Sequence, residues 1–560
     1  MLVGFQLFAS TYRVRSYSFE SKKTTHAVLA EFVGAPGAVF ESEEDMVEFL
    51  AEKRQLLYNM RIFYDVLYTY ELYESGPDMF DADVVFHVSD AKTFLIVPFP
   101  KYDSNYGLSL KLKAKDTNFL GTFTNLDANI EYSQRNNSFE DGRLDWDFTV
   151  DSLRIKDAKL SFSQYGVLDF LTWSDSKAGL SANVSNVKIG NVGLNGSIAF
   201  NLGPIGGDKS DKWSLRNIEM TLGTSVDFDS IGLSNSAKFT MVPVDFGEIY
   251  MVVPEELSDT ATISFKNPKL NNATAGTTIT YNFLSELFKT DSYFSFKFDN
   301  FYGITTKVYL YTEQTGFING LSLIRPGAGV SKSFLLFEKL SFNPSVDIYF
   351  PYTFATQTVD PYVVTTLPFS YGRIDWVENN FRTGVVFSLS MTDTYYLSSG
   401  YNRISILGGA TVHYPLTSWF NPSARIDFKY SNELLEINKE GSYSWRMRGI
   451  RDVNDKINAY RTFGMVLNMD LMFNFIRVND FCSTYAIPFM DLFVGSNPDG
   501  SFDKLITVGG EGIIILDSHP SYPIRGSLGF NAEDLVCWMK GEKEFSEVEF
   551  ELFIGLYFLY

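Results

Sequence analysis

The chain has 560 residues, a net charge of −20 and 16% aromatic residues, among them 51 Phe and 32 Tyr. Such acidity argues against nucleic acid as a partner, and a mean hydropathy of −0.05 with no apolar run of the ~20 residues that a spanning helix needs argues against a helical membrane protein. Cys482, Cys537 and the scattered His26, His87, His413 and His519 supply neither a disulfide framework nor metal or triad spacing, so no metal, no cofactor and no enzymatic activity are expected.

Residues 1–11 open with an apolar stretch, Met1 to Ser10, that carries no Lys or Arg. It reads as a signal remnant or a short lead-in, with a buried strand as the alternative. Tyr12 to Phe19 alternates like a strand, and Thr24 to Val33 has a helical pattern. Ser42, Glu43, Glu44 and Asp45 resemble a capping box. Met46, Phe49, Leu50 and Leu57 then share one helical stripe, which breaks over Asn59 to Phe63. Tyr64 to Leu72 and Asp83 to Val88 read as strands. The order strand, helix, helix, strand, strand predicts a small α+β domain over residues 12–97.

From about Asn105 the helical signal gives way to period-2 alternation. Leu108, Leu110, Leu112 and Ala114 alternate with Ser109, Lys111, Lys113 and Lys115; Leu144, Trp146, Phe148 and Val150 with Asp145, Asp147, Thr149 and Asp151. Phe294, Phe296 and Phe298 oppose Ser295, Lys297 and Asp299, and Ala424, Ile426, Phe428 and Tyr430 oppose Arg425, Asp427 and Lys429. One face is apolar and the other charged, over segments of about the 9–11 residues of a tilted spanning strand. The fold expected for residues 98–560 is an all-β transmembrane barrel of antiparallel strands. From Ser546 to Tyr560 the even positions (Val548, Phe550, Leu552, Ile554, Leu556, Phe558, Tyr560) are apolar and read as lipid-facing, while Glu547, Glu549 and Glu551 read as lumenal. A charge facing hydrocarbon costs about 2–4 kcal/mol at the midplane, which explains the segregation. Strand boundaries between Ser176 and Val253, rich in Ser, Asn and Gly, are not fixed by the pattern.

Four features together resemble the BamA-type superfamily of outer-membrane assembly and secretion barrels. The N-terminal order, with Gln55 to Val66 as helix end, turn and strand, is similar to one POTRA domain. Tyr102 to Leu108, running into Asp116 to Gly121, resembles that family's first barrel hairpin. Met447-Arg448-Gly449-Ile450, in a long loop from about Ser431 to Ala459, resembles the family's Val-Arg-Gly-Phe motif with Ile450 in place of Phe. Five strands are expected after it, near Thr462–Phe475, Thr484–Gly495, Lys504–Leu516, Tyr522–Asn531 and Ser546–Tyr560. Gly555, Phe558 and Tyr560 match the C-terminal signal of outer-membrane barrels.

The resemblance implies about sixteen strands, an even number as in other single-chain barrels. It implies that the loop folds into the lumen, where Arg448 pairs with Asp491 of a Phe-x-Asp strand whose usual Gly is Phe493 here. Asp470 stands where the family has Glu. It places a weakly bonded seam between the last strand and a first strand containing Gly107, Leu108, Leu110 and Leu112. It implies an outer-membrane protein of a diderm bacterium with domain 12–97 in the periplasm. The implied role is assembly: capture of unfolded outer-membrane proteins by strand addition and their insertion at the seam, with periplasmic or lipoprotein accessory subunits as further partners. A two-partner-type secretion pore and a passive porin-like channel are the alternatives. On this topology Cys482 and Cys537 lie at opposite membrane surfaces, beyond disulfide reach.

Overall fold

The computed structural model describes residues 11–556 apart from short internal stretches, the longest at 266–272, 437–446 and 451–459. Phe558 and Tyr560, and the lead-in Met1 to Ser10, lie outside the described residues.

The first unit is a four-stranded sheet in the order β2 (Val39–Phe40), β1 (Thr11–Glu20), β4 (Met79–Asp90), β3 (Phe63–Gly76). β1 runs parallel to β4, and β3 forms an antiparallel hairpin with it. Helices α1 (His26–Val33) and α2 (Glu43–Asn59) supply the covering layer. The Ser42 hydroxyl accepts from the Asp45 amide at 3.1 Å and donates to the Asp45 carboxylate at 2.6 Å, a cap that fixes where α2 starts. Glu43, Glu44 and Asp45 occupy the first turn, where the helix dipole favours negative charge. The stripe Met46, Leu50 and Leu57 is fully buried against Val14, Val66, Val84 and Phe86 of the sheet. On the other face Arg13 pairs with Asp81 at 2.7 and 2.8 Å, and Arg15 pairs with Asp83.

At the end of β4, Asp90 gathers the Ser21 and Thr24 hydroxyls at 2.8 and 2.5 Å and the Lys22 and Lys23 amides at 3.0 and 2.8 Å. Burial pushes this carboxyl upward, but the combined donors outweigh it and hold its pKa below the usual carboxylate range.

The remaining strands pair antiparallel in chain order as a barrel-like wall. It starts with β5 (Phe94–Asp103), β6 (Gly107–Phe119) and β7 (Thr124–Arg135). The last strand, Phe550–Leu556, returns to β5 through one described pair, Phe553↔Asp103. Leu110 and Leu112 face outward, while Lys111 and Lys113 face inward and meet Glu131 and Asp127 of β7 at 3.0 and 3.6 Å.

Three expectations are corrected. The wall has about two dozen staves among the described residues, not sixteen; five short segments between Phe334 and Val359 share one position between the Leu321–Lys332 and Tyr362–Trp376 strands. The excess arises where Ser, Thr, Asn and Gly blur the alternation, as in Lys177–Ile189 and Val192–Pro204. The wall also begins at Phe94, inside the span 12–97, so Gly107, Leu108, Leu110 and Leu112 belong to its second strand, paired with β5 and β7. Pro98 and Pro100 hide β5 in the sequence, because proline interrupts the strand pattern. Finally, the last strand starts at Phe550, not Ser546: Phe545–Glu547 form a 3-10 turn and Val548 is buried.

Candidate functional site

The N-terminal unit marks one rim of the wall by resting on its turns. Asn59 Nδ2 donates to Asp375 at 2.8 Å, the Trp376 amide donates to Asn59 Oδ1 at 3.0 Å, and Gln55 donates to the Trp376 carbonyl at 2.9 Å. Arg61 lies over the Trp376 ring at 4.3 Å and donates to the Pro520 carbonyl at 2.9 Å. Burial lowers the Arg61 pKa to about 10, still protonated at neutral pH. On another part of the rim the Thr25 amide donates to the Gly121 carbonyl at 2.9 Å, and Asn118 donates to Thr24 at 2.7 Å.

The same rim bridges the junction of the wall's first and last strands. The Lys92 amide donates to the Ser518 carbonyl at 3.2 Å, and the Tyr522 hydroxyl donates to the Thr93 carbonyl at 2.8 Å. Among the described residues the strand pairing across that junction is Phe553 with Asp103, and β5 on its edge carries two prolines that have no N–H to donate.

From the opposite rim Met447 to Ile450 enters the interior. All of Met447, Arg448 and Ile450 are buried. Arg448 binds Asp491 in a two-pronged pair, Nε to Oδ2 at 2.9 Å and Nη2 to Oδ1 at 2.6 Å, and its backbone amide donates to the same carboxylate at 2.9 Å. Nη2 also reaches Asp470 at 2.7 Å, and Nη1 reaches Glu511 at 3.3 Å. The guanidinium lies 3.7 Å above the Phe489 ring. Asp491 has no solvent exposure, so its charge is tolerable only with such partners.

The structure therefore brings Arg448, Asp491 and Asp470 together. It adds Glu511 and Arg525, which the sequence pattern did not single out, and gives the lumenal Glu551 a partner. Glu511 is shared with Arg525 at 2.6 Å, and Arg525 lies over Phe553 of the last strand at 5.4 Å. Glu551, on that same strand, accepts from the Gly449 amide at 2.8 Å. The sequence signal for Glu511 and Arg525 was a charge amid glycine and apolar neighbours, Gly509 to Gly512 and Ile524 to Gly526.

Gly449 has φ +84°, and a Cβ there would sit 2.6 Å from Phe530 N and 2.7 Å from Gly529 C, both backbone atoms. Beneath the segment Val466, Phe493 and Leu505 pack with Met447 and Ile450, so Phe493 acts as floor. Gly555 pairs with Arg525 in the wall. Cys482 and Cys537 are free thiols at opposite rims.

No family model matches the chain. No curated protein matches it either. Among solved structures it is similar to BamA from Haemophilus ducreyi lacking POTRA domains 1–3, at 12% identity and a TM-score of 0.26, over 98% of this chain and 84% of that one. CdiB from Acinetobacter baumannii follows at 8% and 0.25, over 90% and 73%. The ferric enterobactin receptor PfeA from Pseudomonas aeruginosa stands at 8% and 0.39, over 80% and 76%. Overlaps this loose carry no functional argument.

Proposed function

We propose that this chain spans an outer membrane as a β-barrel and inserts unfolded outer-membrane proteins into the bilayer at the junction between β5 and its last strand. The observation that carries the reading is that junction, where Phe553 pairs with Asp103, β5 carries two prolines, and Tyr522 bridges the rim to Thr93. A strand interrupted by prolines donates fewer ladder hydrogen bonds, and a weakly bonded edge in lipid is ready to exchange its partner for another strand. The membrane setting rests on the outward apolar face, including Leu110, Leu112, Ile130, Leu222, Leu528 and Ile554, opposite inward charges. β3 supports the capture step: it is the outer strand of the N-terminal sheet, and among the described residues no strand pairs with its far edge. The Arg448 cluster ties the entering segment to the last two wall strands through Arg525 and Glu551, steadying one side of the junction.

A second reading, a channel, is favoured by the polar inner face of residues 158–282, rich in Ser, Thr and Asn beside the ion pair Lys238–Glu219 at 3.0 Å. There Ser163–Ser181, Asn201–Asn217, Ser258–Thr280 and Thr260–Thr278 form cross-strand hydrogen bonds of 2.6–3.1 Å.

A lock across the junction separates the two. Asp103→Cys with Phe553→Cys, in a background with Cys482 and Cys537 replaced, is reconstituted into liposomes and oxidised. Under the insertion reading, oxidation stops the acceleration of outer-membrane protein insertion, scored by protease protection, and reduction restores it. Unchanged insertion in the locked state sinks that reading. A steady conductance indifferent to the lock, without any insertion activity, moves the assignment to a channel.

A further inference from the structure

We infer that the helix after the penultimate wall strand, α3 (Ala532–Met539), lies on the surface of the bilayer as an interfacial anchor beside the junction. The inference rests on the membrane reading above and concerns residues that the insertion mechanism does not use. Asn531 caps the helix by accepting from the Glu533 amide at 3.0 Å, which fixes its start at the rim opposite the N-terminal unit. Val536, Trp538 and Met539 are 41%, 41% and 64% exposed, and Phe545 in the following turn is 53% exposed. In water this cluster of large apolar side chains is a liability.

Its position supplies the occupant. Trp538 meets Phe545 edge-on at 5.2 Å, Phe545 meets Phe530 at 6.4 Å, and Phe530 meets Phe550 at 6.3 Å. Phe530 and Phe550 alternate with the inward Gly529 and Glu551, on the outward face that carries Leu528 and Ile554. The aromatic path therefore continues the proposed lipid-facing surface, without a break, onto the helix. Tryptophan with a wet indole N–H at the end of an apolar belt is the usual residue of the membrane–water boundary. Charge does not supply an alternative: Glu533, Asp534, Glu542 and Glu544 outnumber Lys540 and Lys543, and Lys543 is already paired with Asp534 at 2.6 Å. The partner is thus the acyl–headgroup boundary of the bilayer, held by apolar contact.

Cys537 gives a direct test. With Cys482→Ala, a nitroxide on Cys537 reports collisions with oxygen, which enters lipid, and with a water-soluble nickel chelate, in phosphatidylcholine vesicles. Single cysteines at Val536, Met539, Glu533 and Lys540 complete the scan, and Leu528→Cys marks the wall. Positions 536 and 539 should shift toward oxygen and away from nickel, 533, 537 and 540 on the charged face should stay aqueous, and added salt should leave the pattern unchanged. Aqueous signals throughout 533–540 while Leu528→Cys is lipid-exposed would overturn the anchor alone. An aqueous signal at Leu528→Cys as well would overturn the membrane reading beneath it.

Discussion

Arg448 is the residue on which the interior turns, because it is buried among Asp491, Asp470 and Glu511. Removing one partner of a buried ion pair costs about 3–5 kcal/mol, since the opposite charges stay behind without compensation. Arg448→Ala should therefore lower the unfolding free energy of the detergent-solubilised barrel by an amount of that order, read from a urea titration followed by tryptophan fluorescence. Arg448→Lys should not restore it, because a point charge cannot reproduce the two-pronged contact with Asp491 or the stacking on Phe489. Gly449 makes a different kind of demand. Its left-handed backbone costs a side chain about 1–2 kcal/mol, and the added Cβ would also press on Gly529 and Phe530. Gly449→Ala and Gly529→Ala should each destabilise, and the double variant should lose less than the sum, because both crowd the same contact and the shift that accommodates one methyl group makes room for the other. Additive losses in the same urea titration would refute a shared contact.

At the scale of elements, the N-terminal sheet depends on carboxylates that must stay ionised. Arg13 holds Asp81 and Arg15 holds Asp83 below the ordinary range, and for Asp90 the four donors outweigh burial. A depressed folded pKa contributes stability above the unfolded value of about 3.9 and loses it as pH falls through the folded value. Hydrogen exchange across β1, α1 and β4 should accelerate below about pH 4 while the wall strands stay protected, and Asp90→Asn should bring that acceleration to higher pH. How much of each element could be read from sequence follows the same physics. α2 was legible because a capping serine and the spacing of Met46, Leu50 and Leu57 are local signals. β5 was not, because Pro98 and Pro100 read as a break, and a proline-bearing strand makes sense only once its place beside the junction is known. The surplus strands were hidden because an inner face built mainly of Ser, Thr and Asn leaves little contrast with the outer one. Arg448 and its carboxylates on Asp491 and Asp470 were reachable through a family resemblance, whereas Glu511 and Arg525 meet across the interior and leave no mark in local spacing.

For the whole molecule, the N-terminal unit is seated on the near rim through Gln55, Asn59 and Arg61. Arg61→Ala with Asn59→Ala removes the contacts to Trp376, Asp375 and Pro520. Single-channel recordings of this variant should show larger and more variable conductance than the parent; an unchanged trace would mean that the unit does not obstruct the opening. The same seating bears on how the wall comes to exist at all. Nearly every strand pair joins neighbours in sequence, so each hairpin can form with little loss of chain freedom. The pair most distant in sequence among the described residues is Asp103 with Phe553, and drawing together ends so distant costs roughly 5 kcal/mol of loop-closure entropy. The N-terminal unit grips Gly121 near the start of the wall and Pro520 near its end. Folded early, it would act as a jig, holding the two extremities close before they pair and turning the slowest encounter into a short-range one.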